Sequence, residues 1–474
     1  MATPAWRELF GGGHGGRAVA LAAGVTLHAV NIFVVATIMP SVVADIGGLA
    51  WYAWNATLFT VGSIIGAAAA AELLARRGAR GAYGLGTLVF AAGTFVCGAA
   101  PAMPVLLAGR TLQGVGGGLL FALSYAVIRL VLPQHLWPKA IALVSGTWGV
   151  AALSGPFVGG IFAELGQWRF AFWSVLVATA AFAVLCARVL PPSGAQPSGQ
   201  SGTTAMRFPI RRLALLAGAA LAISGASVVP SLWVNAAGLV VALILLTLMV
   251  RLESAATVRL LPSDAFRPRS ALGGIYLTMA LVICGTNCII FVPYLLQTIH
   301  GLTPLGAGYL TILQAMGWTI GSIASSGTGE RRAPLLVTLG PLVTLTGLAG
   351  LALRMPAASD GHPLALAVIA ALLCMVGMGI GIGWPHLLTR VMTVAPESER
   401  GLASSSLSTV QLVASAFASA LAGVVVNLAG LTIPGGPAGA AHAAMWLFAV
   451  FAILMLLAVM SASVIAARMR AAPL

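Results

Sequence analysis

Charge is what this sequence has least of. Only 7% of its 474 residues are Asp, Glu, Lys or Arg, against about a quarter in a typical soluble domain. Ten residues are acids, and Lys139 is the single lysine among 24 basic residues. A chain so short of charge cannot cover a globule of this size, and as a water-soluble fold it would expose large apolar patches. Cysteine is scarce too. Cys97, Cys186, Cys284, Cys288 and Cys374 are odd in number and all fall inside apolar runs. They point to buried, inert thiols rather than disulfides or a metal site. No stretch alternates as barrel strands do, so a β-barrel is excluded. Nucleophiles, bases and metal ligands are nowhere clustered, so neither an enzyme nor a bound metal or cofactor is expected.

What the chain has in abundance is apolar length. Apolar residues make up 59% of it, and the mean hydropathy is +1.02. A spanning helix needs roughly 20 mostly apolar residues. Candidate spans lie near 18–43, 51–72, 82–100, 103–131, 139–163 and 168–190, then 212–229 and 232–250. Six more lie near 271–298, 305–326, 335–354, 363–389, 401–430 and 441–467. The expectation is an all-α membrane protein with fourteen transmembrane helices. The first run follows Arg7 and Arg17 and is too long for a signal-peptide core, so it reads as an uncleaved anchor.

A net charge of +14 could suggest a nucleic-acid partner, but its distribution argues otherwise. With the N-terminus inside, all of the 24 Lys/Arg except Arg110, Arg169 and Arg354 fall at or beyond the cytoplasmic ends of spans. This is the positive-inside bias, and the expected partner is the lipid bilayer rather than nucleic acid. An even number of spans then places both termini in the cytoplasm. The preference for arginine over lysine, with many alanines and glycines, suggests a GC-rich bacterial source, hence the inner (plasma) membrane.

Residues 191–205 are rich in Pro, Ser and Gly and carry no charge, as a flexible linker does. The 251–270 stretch carries Arg251, Arg259, Arg267 and Arg269 and reads as a second connection. The layout is therefore six, two, six: a bundle over 1–190, a linker with two extra helices over 191–270, and a bundle over 271–474. The halves share an echo, because ARRGAR (75–80) follows the second span of one and GERRAP (329–334) that of the other. Internal repeats of this kind build many transporters, with the cargo site near the midplane. Gly62/Gly66, Gly114/Gly118, Gly155/Gly159 and Gly317/Gly321 are each four apart, a spacing that lets helix backbones approach closely.

Residues 110–118 read Arg-Thr-Leu-Gln-Gly-Val-Gly-Gly-Gly, and residues 155–160 read Gly-Pro-Phe-Val-Gly-Gly after Gly146 and Gly149. These resemble the fourth-helix R-x-x-Q-G-x-G-G and fifth-helix G-P-x-x-G-G motifs of the major facilitator superfamily. Residues 34–40 (VVATIMP) followed by Asp45-Ile46-Gly47-Gly48 resemble its fourteen-spanner drug:proton antiporters, the multidrug efflux branch. The resemblance implies a major facilitator fold, working as a monomer, that exports hydrophobic or amphipathic small-molecule cargo by alternating access. It also implies a gating role for Gly155, Pro156, Gly159 and Gly160, whose thin face should pack across the two halves. An importer or uniporter of a neutral metabolite on the same fold is the alternative.

Two departures bear on mechanism. Where the antiporters usually carry a proton-binding aspartate paired with the arginine matching Arg110, this chain has Asn31, which cannot titrate. The loop motif G-x-L-x-D-x-x-G-R-K is degraded to Ala71, Ala75 and Ala79; Gly78 and Arg80 remain, with Glu72 a substitute partner for a nearby arginine. All ten acids sit at span ends or in loops, and only His28 and His386 lie within spans. Arg110 should face the interior, with Gln113 as its neighbour. Two coupling schemes stay open: proton antiport through His28 or an end-of-helix acid such as Asp45 or Glu72, and transport on the cargo's own gradient. Asn55, Trp148, Asn287, Gln314, Trp318 and Trp384 are the cargo-pathway candidates. Amides and rings without an acid suit neutral or amphipathic cargo better than strongly cationic cargo. Trp51 and Trp54 read as interfacial belt.

Overall fold

A computed structural model describes residues 6–471 except 12, 192–208, 257–258, 268, 330 and 360. Most of the expected 191–205 linker, together with Glu330 and Asp360, therefore lies outside the described residues. Among the described residues there is no strand, and sixteen helices account for nearly all of the chain. Their dominance follows from the apolar runs, since a segment without water around it must satisfy its own backbone polar groups.

The helices of the first half are α1 (Trp6–Phe10), α2 (Gly15–Ile46), α3 (Tyr52–Gly98), α4 (Met103–Ala126), α5 (Ile128–Val131), α6 (Trp137–Glu164) and α7 (Arg169–Val189). Next come α8 (Ile210–Ser227) and α9 (Leu232–Ser254), parted at Pro230-Ser231. There follow α10 (Ala271–Thr286), α11 (Val292–His300), α12 (Pro304–Ser326), α13 (Ala333–Arg354), α14 (Pro363–Val394), α15 (Arg400–Leu428) and α16 (Gly436–Ala471). Local chemistry sets several of the ends. The Ser270 and Thr303 hydroxyls cap α10 and α12, accepting from the N–H of Gly273 (2.9 Å) and Gly306 (3.2 Å). Gly301, at φ 65 and ψ 21, closes α11 in the left-handed conformation that glycine adopts without strain.

Twelve helical segments among the described residues are long and apolar enough to cross a membrane, two fewer than the expected fourteen. The physical reason is visible in two places. One of the twelve, Leu49–Gly98, is 50 residues long and is divided at Gly78, whose φ of 67 and ψ of 178 are not helical. Only glycine adopts that conformation cheaply, so the retained Gly78 of the degraded loop motif marks a break. Beside it, Arg76 pairs with Glu72, the substitute partner the sequence suggested. The second place is α12, a helix of 23 residues that is not among the twelve.

The chain divides into two compact units: residues 1–48 with 58–213, and residues 49–57 with 214–474. In the first, Gly62 and Gly66 of α3 face Gly114 and Gly118 of α4. A Cβ on Gly62 would lie 3.0 Å from the Val115 nitrogen, and one on Gly66 2.9 Å from that of Leu119. In the second unit, α12 meets α14 in the same manner. A Cβ on Gly317 would lie 2.9 Å from the Met378 nitrogen, and one on Gly381 2.7 Å from that of Ser322. Glycines four apart thus face one another in both units, joining α3 to α4 in one and α12 to α14 in the other.

In the second unit α8 and α9 pack against α15. Ala219 and Ile223 of α8, Ala242 of α9 and Ala420 of α15 form one buried cluster. In the same unit the Asn427 amide donates to the carbonyls of Ala50 and Ser227, both at 2.9 Å. Trp54 donates its indole N–H to the Ser224 carbonyl at 2.8 Å. The segment 49–57 is thereby bound to the insert and to α15.

Candidate functional site

The first unit holds a buried polar group in an otherwise apolar core. Arg110 sits on α4 and is 2% exposed. Bare burial of an arginine inside a membrane costs roughly 2.5–3.5 kcal/mol on insertion scales. Its surroundings offset much of this. The guanidinium donates to the side-chain oxygen of Gln113, one turn on, and its carbon lies 4.2 Å from the centre of the Phe59 ring. Gln113 in turn donates to the Thr94 hydroxyl (2.9 Å), which donates to the Phe90 carbonyl (2.7 Å). A chain of hydrogen bonds therefore fixes the arginine's orientation from α4 back into α3. Glycines make this possible: Gly109 and Gly116 present bare backbone to Cys97 and Phe90, which lets α3 close on α4.

His28, on α2, is 3% exposed and packed in rings: Phe59 at 5.2 Å, Phe121 at 5.4 Å and Trp148 at 6.4 Å between centroids. A Cβ on Gly117 would lie 2.8 Å from its Nδ1, so glycine at 117 is what lets the imidazole lie against α4. Phe59 touches both His28 and Arg110, and so the structure brings these two candidates and Trp148 into one cluster. Asn31, one turn along α2 from His28, is completely buried, yet neither its amide nitrogen nor its oxygen has a partner. Leaving such a group unpaired costs about 1–3 kcal/mol.

The other candidates fall elsewhere. Gly155 and Gly159 of α6 meet α2 of their own unit, where a Cβ on Gly159 would lie 2.8 Å from the Val34 carbonyl oxygen and 3.2 Å from Ile38. Gly155 is closer still to Phe33. The face expected to pack across the two halves is thus filled by α2; α6 runs unbroken past Pro156, and Gly160 is buried. In the second unit, Trp318 and Trp384 meet edge-on at 5.8 Å, and Gln314 is half-buried on α12. Asn287 donates to the Ile283 carbonyl (2.8 Å) and the Ser415 hydroxyl (3.3 Å), and Asn55 is buried within the 49–57 segment. Arg80 is exposed near the Gly78 break.

None of the eight acids among the described residues joins the Arg110–His28 cluster. Asp45 pairs with Arg169 (2.6 Å), Glu8 with His135 (2.8 Å), and Asp264 with Arg267 (3.2 Å). Sequence reasoning missed Thr94, Phe59 and Phe121, which lie in unremarkable apolar runs. It also missed Gly377 and Gly381, whose spacing was there to be read.

Against this geometry, comparison with known proteins is decisive. The Major Facilitator Superfamily profile matches residues 21–419. The chain belongs to that superfamily. A Mycobacterium tuberculosis protein named "probable multidrug-efflux transporter" is 42% identical over 455 residues, covering 95% of this chain and 94% of its own length. The multidrug transporter protein MdtP of Bacillus subtilis is 26% identical, over 83% of this chain and 72% of its own. Among solved structures, a bacterial homologue of the human lysosomal transporter Spinster, inward-facing and unoccupied, matches with a TM-score of 0.65 at 16% identity. That match covers 96% of this chain and 98% of the other. A POT family transporter in complex with 5-aminolevulinic acid matches with a TM-score of 0.65 at 14% identity, over 94% and 96%. At such identities the structures speak for the fold alone. As a superfamily member the protein is a membrane transporter rather than an enzyme, and its buried Arg110–Gln113 pair stands in the superfamily's fourth-helix motif.

Proposed function

We propose that the protein exports hydrophobic or amphipathic small molecules by alternating access, in exchange for protons. The observation that carries this reading is its 42% identity, over 95% of the chain, to a protein named for multidrug efflux. The chemistry of the candidate residues supports it: amides and rings offer neutral or amphipathic cargo hydrogen bonds and stacking, and no acid among the described residues joins the Arg110–His28 cluster to repay a strongly cationic one. The coupling group is His28, since Asn31 stands where the branch carries its acid and every described acid is peripheral. Arg110 serves as the fixed charge of the cluster, held against the same Phe59 ring that packs on His28.

The membrane arrangement belongs to the same proposal. Counting Leu49–Gly98 as two spans and adding Pro304–Ser326 turns the twelve candidates into fourteen. The bundles are 1–190 and 271–474, with 191–270 as the insert. Both ends face the cytoplasm of a bacterial cell, and the monomer is the working unit. Gly155, Pro156, Gly159 and Gly160 act in gating by setting how α6 moves on α2.

Inside-out membrane vesicles test the reading. They should accumulate the neutral dye Nile red when their lumen is acid, and a proton ionophore should abolish the accumulation. His28→Gln should remove the dependence on the pH gradient. Uptake indifferent to the ionophore would mean that the cargo's own gradient drives transport, and loss of dye from preloaded inside-out vesicles would mean import.

A further inference from the structure

The end of α9 that carries Arg251 has two adjoining features that the transport site does not use. One is a groove lined by Val240, Leu243, Ile244, Thr247, Leu248 and Arg251. These residues recur at helical spacing, so they form one stripe along a single face. Leu243 and Ile244 are 55% and 60% exposed, and α9 is the least buried of the candidate spans. The other is a cavity of about 380 Å³ that begins at Val250 and includes Arg259 and Arg267 in its wall. The fold makes this cavity by turning the chain back on α9. The Glu253 carboxylate, 2% exposed, accepts the backbone N–H of Leu260 and of Leu261 (3.0 Å), which sets Arg259 and the 262–267 turn beside Val250.

The charges here are unevenly paired. Glu253 is taken up by those two N–H groups, and Asp264 is taken up by Arg267 at 3.2 Å. Arg251 and Arg259 have no acidic partner among the described residues. Arg251, at the end of the apolar stripe, and Arg259, in the cavity wall with Glu253, Asp264 and Arg267, are thus the guanidinium groups here without an acidic partner among the described residues. From Val240 to Arg251 the stripe rises roughly 16 Å at 1.5 Å per residue, about half of a 30 Å hydrocarbon core. That is the depth of one leaflet.

We propose that this end of α9 binds one anionic phospholipid, its phosphate held by Arg251 and Arg259 and one acyl chain lying along the Val240–Leu248 stripe. An arginine fork matches a phosphodiester in shape as well as charge, and the stripe matches a single acyl chain in length. A zwitterionic lipid would bring its own cation to a place that already holds two. The inserted helix pair therefore acts as a lipid-reading element, whatever cargo the protein carries.

The test is thermal unfolding of the purified full chain in detergent, titrated with phosphatidylglycerol or with phosphatidylcholine of the same acyl chains. Phosphatidylglycerol should reach half-effect at a concentration at least three-fold lower. The R251Q/R259Q double variant should lose that difference, R331Q/R332Q should keep it, and inorganic phosphate alone should have no effect. The proposal fails if the two lipids act alike on the wild type, if the preference survives in R251Q/R259Q, or if R331Q/R332Q loses it equally. Stabilisation by inorganic phosphate alone would overturn the lipid as occupant. Should the double variant not fold, the wild-type lipid comparison decides by itself.

Discussion

Arg110 and Asn31 are both buried polar residues, but their partners differ completely. Arg110 is held by Gln113, by the Phe59 ring and, through Gln113, by Thr94. Arg110→Lys keeps the charge but loses the planar fork that this arrangement matches. Transport measured in vesicles should fall about tenfold or more, the factor corresponding to 1.36 kcal/mol. Asn31 has nothing to lose in the state described, because both ends of its amide are unpaired. Replacing it with a leucine of similar shape removes a desolvation cost of about 1–3 kcal/mol. Thermal unfolding of Asn31→Leu should therefore occur at or above the wild-type temperature, while transport declines. A clear drop in melting temperature would mean that the amide has a partner in the resting protein. The burial of Arg110 beside Gln113 was legible in the sequence, because a guanidinium inside an apolar run is conspicuous. The ring cage around His28 was not, since one phenylalanine among many apolar residues carries no local mark.

Helices meet here through bare backbone, and the glycines divide accordingly. A Cβ at Gly155 would strike Phe33, whereas Gly146 and Gly149 of the same helix have open space around them. Gly155→Ala should destabilise by about 1–3 kcal/mol, the usual cost of overpacking, and Gly146→Ala should leave the melting temperature unchanged. Gly78→Ala tests the break in α3: its conformation costs a residue with a side chain about 1–3 kcal/mol, so stability should fall by a similar amount. At Asn427, replacement by leucine removes two donated bonds of about 1 kcal/mol each and should loosen the 49–57 segment, readable as faster amide exchange there. The glycine pairs and the retained Gly78 could be read from spacing and motif. The Asn427 bonds could not, because their partners lie 377 and 200 positions away and leave no periodic trace. The Trp54–Ser224 bond, across 170 positions, left no trace for the same reason.

Over the whole chain, the apolar runs carried most of the information on the fold. Helix number was legible to within two. Reporter fusions at both chain ends should give cytoplasmic signals if fourteen spans are correct, and opposite signals if the number is odd. Direction and coupling are properties of the complete cycle. A purified, reconstituted protein with a pH indicator sealed inside the vesicles measures them together. With an acid lumen, the account predicts that Nile red enters as the lumen turns alkaline, and that His28→Gln uncouples the two signals. Dye movement with no change in luminal pH would contradict proton exchange, and dye leaving as the lumen turns alkaline would contradict export.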